Sequence, residues 1–413
     1  MAKDALAGEA SGSRKRPMSS RKIIYNKHLG KYRRADVFHW NGLTSSQKKE
    51  VVRLEDAAAL DDDGSPPLRY RVLTHGFTPS VCRRMLGYVE NLADDDAKRR
   101  EFLETALSVP LGRYAQPFEG AEPKAALETL RSTMDAAVYG HAAAKLEIMR
   151  VVAKWMRDPA GKGLSLLLCG PKGVGKTMFA QAGVAAALGM PYTFIALGGS
   201  SDASRLLGHG YCYQGSGVGA IAAALIRHQS MSQVMVLDEV DKTADSDRGA
   251  AVINTLIHLT DETTNERYHD RYLGDVDLDL SRSLLLFTAN DADAISPILR
   301  DRMIRIDIGG YSSAERAEIA TRHLVPRAIS EFGLTGRAAD AVASDPFVRA
   351  AVLATAAEQG VRDLKRAFKA VCSELNLRVT LDDAYVPTDA DVRDILKKAT
   401  ASSEPAVIGM MYN

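Results

Sequence analysis

Gly170-Pro171-Lys172-Gly173-Val174-Gly175-Lys176-Thr177 follows an apolar run, Leu164 to Cys169, and leads into a helical pattern, Thr177 to Leu188. The segment matches G-x-x-x-x-G-K-[ST] without deviation. Chance alone produces that pattern in roughly one chain of this length in a hundred. Glycines at these positions let backbone N–H groups converge on phosphate oxygens. The helix that follows turns its positive end toward the same phosphates. Lys176 is placed to reach β/γ-phosphates, and the Thr177 hydroxyl to coordinate Mg²⁺.

Working outward, strand and helix patterns alternate. Short apolar runs recur at Tyr192–Ala196, Gln233–Leu237, Leu284–Ala289 and Met303–Ile308, each followed by turn or charged residues. Strands separated by helical stretches predict an α/β fold with a parallel sheet covered on both faces. A helix over 125–158, broken near Tyr139-Gly140, leads into it. After Tyr311 no strong strand pattern remains. Helices over 313–330, 346–358, 360–378 and 388–398 predict a small all-helical end domain.

The second motif is Val234-Met235-Val236-Leu237-Asp238-Glu239, an apolar strand ending in two acids. Such a strand delivers its carboxylates to the C-terminal edge of the sheet, where open α/β folds bind ligands. Asp238 is expected to hold Mg²⁺ directly or through water, and Glu239 to polarise an attacking water. Because Glu239 is present, hydrolysis of the nucleotide is expected and not binding alone.

The flanks read differently. Residues 1–66 form a polar tail and linker, basic at Ser13-Arg14-Lys15-Arg16-Pro17 and Lys31-Tyr32-Arg33-Arg34 and ending in Asp61-Asp62-Asp63-Gly64-Ser65-Pro66-Pro67. Too few apolar residues are present there to fold, so disorder is expected. The basic cluster reads as a solvated tail, a nuclear address or a phosphate contact. Helical spacing at Val81, Met85, Val89 and Leu92 marks 67–124 as a helical connector. The core then spans 125–310, the helical domain 311–400, and a tail 401–413.

The 413 residues carry a net charge of +1, with 46% hydrophobic and 25% charged residues. That composition is ordinary for a soluble globular chain, and no global field favours nucleic acid or an anionic membrane. No run approaches the roughly 18 apolar residues of a membrane span, and no signal core opens the chain. Cys82, Cys169, Cys212 and Cys372 are scattered, without a CxxC pair. Reduced intracellular thiols are therefore expected, with a cytoplasmic location, or a nuclear one if the basic tail is an address.

From about 135 to 400 the chain resembles the AAA+ ATPase module of Lon proteases. The resemblance rests on Tyr139-Gly140, Gly170–Thr177, Leu197-Gly198-Gly199, Gly208-His209, Asp238-Glu239-Val240-Asp241-Lys242, Asp301-Arg302-Met303 and Gly360-Val361-Arg362, in the family's order and at similar spacing. It implies a three-layer P-loop AAA+ core, a helical lid, ATP and Mg²⁺ as ligands, and a hexameric ring. By the same resemblance Tyr139 and Gly140 border the adenine, Asn290 is the sensor 1 that helps place the water, and Arg302 is the arginine finger offered to a neighbour. Arg300 and Arg305 rival it. Arg362 resembles sensor 2, with Arg366 one turn on, and Tyr311 and Ile319 lie where residues close over the base. Tyr213, in Gly210-Tyr211-Cys212-Tyr213-Gln214-Gly215, aligns with the aromatic that grips polypeptide in the family's pore. Gln214 and Gly217 depart from the pattern there and thin the gripping surface.

The family continues past its lid into a Ser-Lys peptidase domain. This chain stops at Asn413 and carries no Gly-x-Ser-Ala-Gly-like loop. Peptide hydrolysis by this chain alone is not expected. Three kinds of work stay open: remodelling a protein substrate, feeding a peptidase encoded elsewhere, and acting on DNA or a replication complex. A nucleotide-gated scaffold is disfavoured, since binding alone needs neither Glu239 nor Arg302.

Overall fold

The structure, a computed structural model, describes residues 44, 46, 66–93, 96–115, 122–158, 164–198, 203–211, 216–243, 247–382 and 385–401. The expected tails, the acidic linker up to Ser65, Gly199, Cys212 and Tyr213 lie outside the described residues. The chain divides into two units, Met1–Arg71 and Val72–Asn413. The first is described only at Thr44, Ser46 and from Pro66, where the helix Leu68–Thr74 begins. All that follows concerns the second.

Its centre is a five-stranded parallel sheet. Among seven described strands, β1 (Ser165–Cys169), β2 (Tyr192–Ala196), β3 (Val234–Asp238), β6 (Leu284–Ala289) and β7 (Ile304–Asp307) form it, in the order β2-β3-β6-β1-β7. Every neighbouring pair is parallel, with Leu167 opposite Phe287 in β6 and Arg305 in β7. The remaining two, β4 (Tyr268–His269) and β5 (Asp277–Leu278), make a small antiparallel hairpin that the sequence patterns did not reveal.

Continuous apolar runs in β1, β3 and β6 follow from burial on both faces. Leu166, Leu168, Val234, Val236, Leu284 and Leu286 pack on one side against Phe179 and Val184, and against Leu130, Met134, Ile148 and Val152. The latter four come from the helices Pro123–Ala137 and Ala142–Arg157. On the other side Leu167, Met235, Leu237, Leu285 and Phe287 are equally buried. Edge strands are less enclosed, with Phe194 of β2 and Ile304 of β7 exposed. The expected strand over 233–237 lies one residue later, so Asp238 is the strand's last residue and is held by its ladder.

The break at Tyr139-Gly140 is real and has a visible cause. Gly140 and His141 both take positive φ, 69° and 53°, between the two helices. The buried Lys145 stitches the break by donating to Asp135 Oδ1 (2.8 Å) and to the Val138 carbonyl (2.7 Å).

Beyond Tyr311 the chain is helical, as expected, with a core of Val342, Phe347, Phe368, Val371, Cys372 and Leu375. Three details differ. A short helix, Gly336–Ala343, lies where no helix is expected. The helix expected over 346–358 is Asp345–Ala354, and that over 360–378 is Arg362–Leu381. Residues 355–361 leave helical geometry, and within them Gly360 packs closely on the loop after β1. A Cβ there would stand 2.4 Å from the Lys172 carbonyl oxygen.

Candidate nucleotide-binding site

The loop after β1 turns on Gly173 and Gly175, at φ of +81° and +93°. Side chains are strained in that region, so both positions need glycine. Gly170 is held by close approach, since a Cβ there would meet the Ile308 carbonyl at 2.0 Å. Residues 176–188 form one helix with a π-turn segment at its centre, Phe179–Ala185. Pro171 and Lys172 lie at the mouth of the loop, and Val174 is buried beneath it.

Lys176 is almost fully buried, and its ammonium donates to the carbonyls of Gly170 (2.6 Å) and Pro171 (3.0 Å) and to Asn290 Oδ1 (3.0 Å). Burial lowers its pKa, while Asp241, Asp238 and Glu239 pull the other way. Thr177 Oγ1 donates to Asp238 Oδ1 at 3.4 Å. The same carboxylate oxygen accepts from Thr288 Oγ1 at 2.6 Å, and Thr288 in turn accepts the Glu239 N–H at 3.1 Å. Thus the ends of β1, β3 and β6 bring Lys176, Thr177, Asp238, Glu239 and Asn290 together. Glu239 has left-handed backbone geometry (φ 58°), pairs with Lys242 at 2.6 Å and lies over Gly198.

Two residues that support this cluster carried no assigned role in the sequence. Asp241 Oδ2 accepts the N–H groups of Asn290 (2.9 Å) and Asp291 (3.2 Å), fixing the turn after β6. Thr288 is the polar exception in an otherwise apolar strand, and that exception was a readable signal.

Beside the break at Tyr139-Gly140, Tyr311 OH lies 2.8 Å from His141 Nε2 and donates to the carbonyls of Val174 (3.0 Å) and Tyr139 (3.3 Å). Gly140 faces the Tyr311 ring. Burial raises the Tyr311 pKa and lowers that of His141. His141 was not singled out by sequence patterns. Ile319 is buried at the end of the helix Ser313–Ile319.

The arginines separate. Arg362 opens the helix Arg362–Leu381 against Gly173, whose carbonyl accepts the Val361 N–H at 3.1 Å. Arg366 pairs with Asp363 (3.4 Å). Arg302 pairs with Asp261 (2.5 Å), Arg300 with Asp293 (2.8 Å) and Arg305 with Asp307 (2.8 Å). Within one chain, therefore, Arg362 lies at the phosphate loop, whereas Arg302 is held by a carboxylate just past the helix Asp247–Thr260.

These residues fit a nucleotide and its cation. The two glycines at positive φ and the helix start form an N–H-lined cradle suited to phosphate. Thr177 and Asp238 offer hard oxygen donors. Mg²⁺ is commonly held by one or two such protein ligands, with water and phosphate filling the rest of its shell. Among the described residues no group of three or more His, Cys, Asp or Glu could hold a metal by itself, and no helix is long and apolar enough to cross a membrane.

Comparison with known proteins agrees with this geometry. Residues 166–309 match the ATPase family associated with various cellular activities (AAA). A Lon protease homolog of Acanthamoeba polyphaga mimivirus is 35% identical over 261 residues, 63% of this chain and 25% of that protein. The peroxisomal Lon protease homolog 2 of Arabidopsis thaliana is 33% identical over 367 residues, 86% of this chain and 40% of that one. The Lon protease of Paraburkholderia phytofirmans is 36% identical over 306 residues, 73% and 37%. The chain thus spans between a quarter and two-fifths of the length of these relatives. Residues 166–309 are an AAA-family ATPase domain, carried in a chain that resembles the ATPase module of Lon proteases.

Proposed function

We propose that the chain binds Mg·ATP at residues 170–177, hydrolyses it, and works as a ring of like subunits that remodels polypeptide substrates. The observation that carries this reading is the meeting of Lys176 with Asn290 (3.0 Å) and of Thr177 with Asp238 (3.4 Å) at one edge of the sheet. Lys176 neutralises the phosphates, and Thr177 and Asp238 hold the cation, which withdraws charge from the phosphate oxygens. Glu239 takes a proton from the attacking water, and Asn290 orients that water. Tyr139, Gly140 and Tyr311 border the base. Arg362 carries phosphate contact into the lid, and Arg302 stabilises the transition state of a neighbouring subunit's nucleotide.

On this reading 125–310 is the ATPase core, 311–400 the lid and 67–124 a connector, with tails at 1–66 and 401–413. Six subunits close the ring, and by the resemblance Tyr213 is the residue that grips the polypeptide. The site of action is intracellular, in the cytoplasm or, through the basic tail, the nucleus. A second reading follows from the names of the relatives, which are proteases. Here the motor delivers unfolded chains to a peptidase, and stable co-purification with one distinguishes it from free remodelling.

The test is ATP turnover measured across protein concentration, with and without casein. Turnover that rises with assembly and with casein supports a ring-forming remodeller. Turnover indifferent to both leaves an ATPase without the ring or the polypeptide, and salt-dependent DNA binding lost on removing 1–34 would point to the nucleic-acid alternative.

A further inference from the structure

Residues 358–362 leave the lid and lie on the phosphate loop. The Val361 N–H donates to the Gly173 carbonyl (3.1 Å), and the Tyr311 N–H donates to the Gln359 carbonyl (2.9 Å). Gly360 is flat against Lys172 and Gly173. Glu358 opens this segment and is 6% exposed.

The two oxygens of Glu358 have different surroundings. Oε2 accepts the Asp363 N–H at 2.7 Å, capping the first turn of the helix Arg362–Leu381. Oε1 is shielded from solvent and has no hydrogen-bond partner among the described residues. It points at the phosphate loop, where a Cβ on Gly173 would stand 2.4 Å from it. The nearby cation, Arg316, is buried and directs its guanidinium elsewhere, to the Thr355 carbonyl (2.8 Å) and Thr355 Oγ1 (2.7 Å). Its effect on Glu358 is therefore one of charge and not of a direct bond.

Capping a helix needs one oxygen. A buried acceptor without a donor is destabilising. Such a group beside a phosphate cradle has a physical consequence there, because like charges in a poorly solvated region repel strongly.

We propose that Glu358 is a negative charge that weakens the hold of the phosphate loop on nucleoside di- and triphosphates, and so speeds release of the diphosphate product. The proposal rests on the reading of residues 170–177 as the nucleotide site. The Gly173 backbone separates the carboxylate from the bound phosphates, so Glu358 acts through space and is not a catalytic residue.

The experiment uses the full chain and N-methylanthraniloyl-ADP, read by fluorescence titration and stopped-flow dissociation. Wild type, Glu358→Gln, Glu358→Ala and Lys176→Ala are compared, with melting temperatures recorded without nucleotide. Glu358→Gln keeps an oxygen for the Asp363 N–H and removes the charge. It is expected to bind about ten-fold more tightly and to release the probe correspondingly more slowly. Glu358→Ala loses the cap as well, yet the same tightening is expected in the folded protein. A purely structural residue gives the opposite sign, weaker binding in both variants. Unchanged or weaker binding in both, with wild type binding normally and Lys176→Ala not binding, overturns the role of Glu358 alone. Wild type that fails to bind the probe overturns the nucleotide reading and this proposal with it.

Discussion

Lys176 Nζ stands 3.0 Å from Asn290 Oδ1, tying the loop after β1 to the end of β6 across the centre of the sheet. The lysine also holds the carbonyls of Gly170 and Pro171, so all three of its donors are satisfied by protein oxygens. Asn290 contributes one contact to this arrangement, whereas the loop contributes the cradle. Substitution at the two positions should separate accordingly. Lys176→Ala is expected to abolish nucleotide binding. Asn290→Ala is expected to lower kcat by about ten- to a hundred-fold while changing the nucleotide Kd less than about three-fold. Single-turnover kinetics alongside equilibrium binding check this, and a parallel loss of affinity in Asn290→Ala would remove its role at the reacting centre.

Glu239 and Lys242 form an exposed ion pair at 2.6 Å, and on the proposed reading the glutamate leaves it to reach a water at the γ-phosphate. Glu239→Gln is expected to bind ATP and to lose turnover by about a hundred-fold or more. Exposed pairs are worth under about 1 kcal/mol, so releasing the glutamate by Lys242→Ala should raise basal turnover by no more than about five-fold. A fall in turnover on Lys242→Ala would mean that the lysine helps the reaction and does not restrain the base.

The residues that meet at this edge of the sheet were more legible than those that support them. Phosphate loops and strand-end acids depend on contiguous residues, so Gly170–Thr177 and Asp238-Glu239 were readable from local pattern. The five sheet strands were readable because burial on both faces leaves unbroken apolar runs. The β4–β5 hairpin was not, since its strands are two residues long and set among charged residues. Asp241, His141 and Glu358 act through contacts with residues 33 to 185 positions away (241 to 290, 141 to 174, 358 to 173), and no local pattern encodes such a meeting. The helix ends at Ala354 and Arg362 were misjudged for the same reason, because the loop between them is shaped by the phosphate loop.

Arg302 is paired with Asp261 within its own chain, and the hydrogen bonds from Thr263 and then Arg302 hold that carboxyl near a pKa of about 2. An arginine anchored this way has a defined direction, which a finger reaching into a neighbouring site requires. If the site is shared, Arg302→Ala and Glu239→Gln damage different halves of it. Each variant alone is expected to be nearly inactive, the first by about a thousand-fold. Mixed, they should regain activity, because some interfaces then pair an intact Glu239 site with an intact Arg302. Turnover measured across mixing ratios decides this. A mixture no more active than its parts would place Arg302 outside the neighbour's site.

Asp270 is fully buried and gathers three backbone donors, Gly219 (2.7 Å), Tyr272 (2.9 Å) and Leu273 (3.4 Å), joining the loop after Gly208 to the hairpin region. Burial raises its pKa from 3.8 to about 6, although the three N–H groups oppose the shift. The folded state therefore takes up a proton between about pH 4 and 6 that the unfolded chain has already lost. Where the folded state binds more protons, stability falls as pH rises. This residue's contribution should thus be most favourable below about pH 4 and decline through pH 6, by roughly 2–3 kcal/mol in total. Asp270→Asn cannot titrate, so the two proteins should show different pH slopes whatever the variant's absolute stability. Denaturant unfolding of both at steps from pH 4.5 to 7.5 reads the difference, and wild type should lose ground to the variant as pH rises. Parallel curves would mean that the three N–H groups outweigh burial and that Asp270 stays ionised across the range, holding Gly219 with no sensitivity to pH.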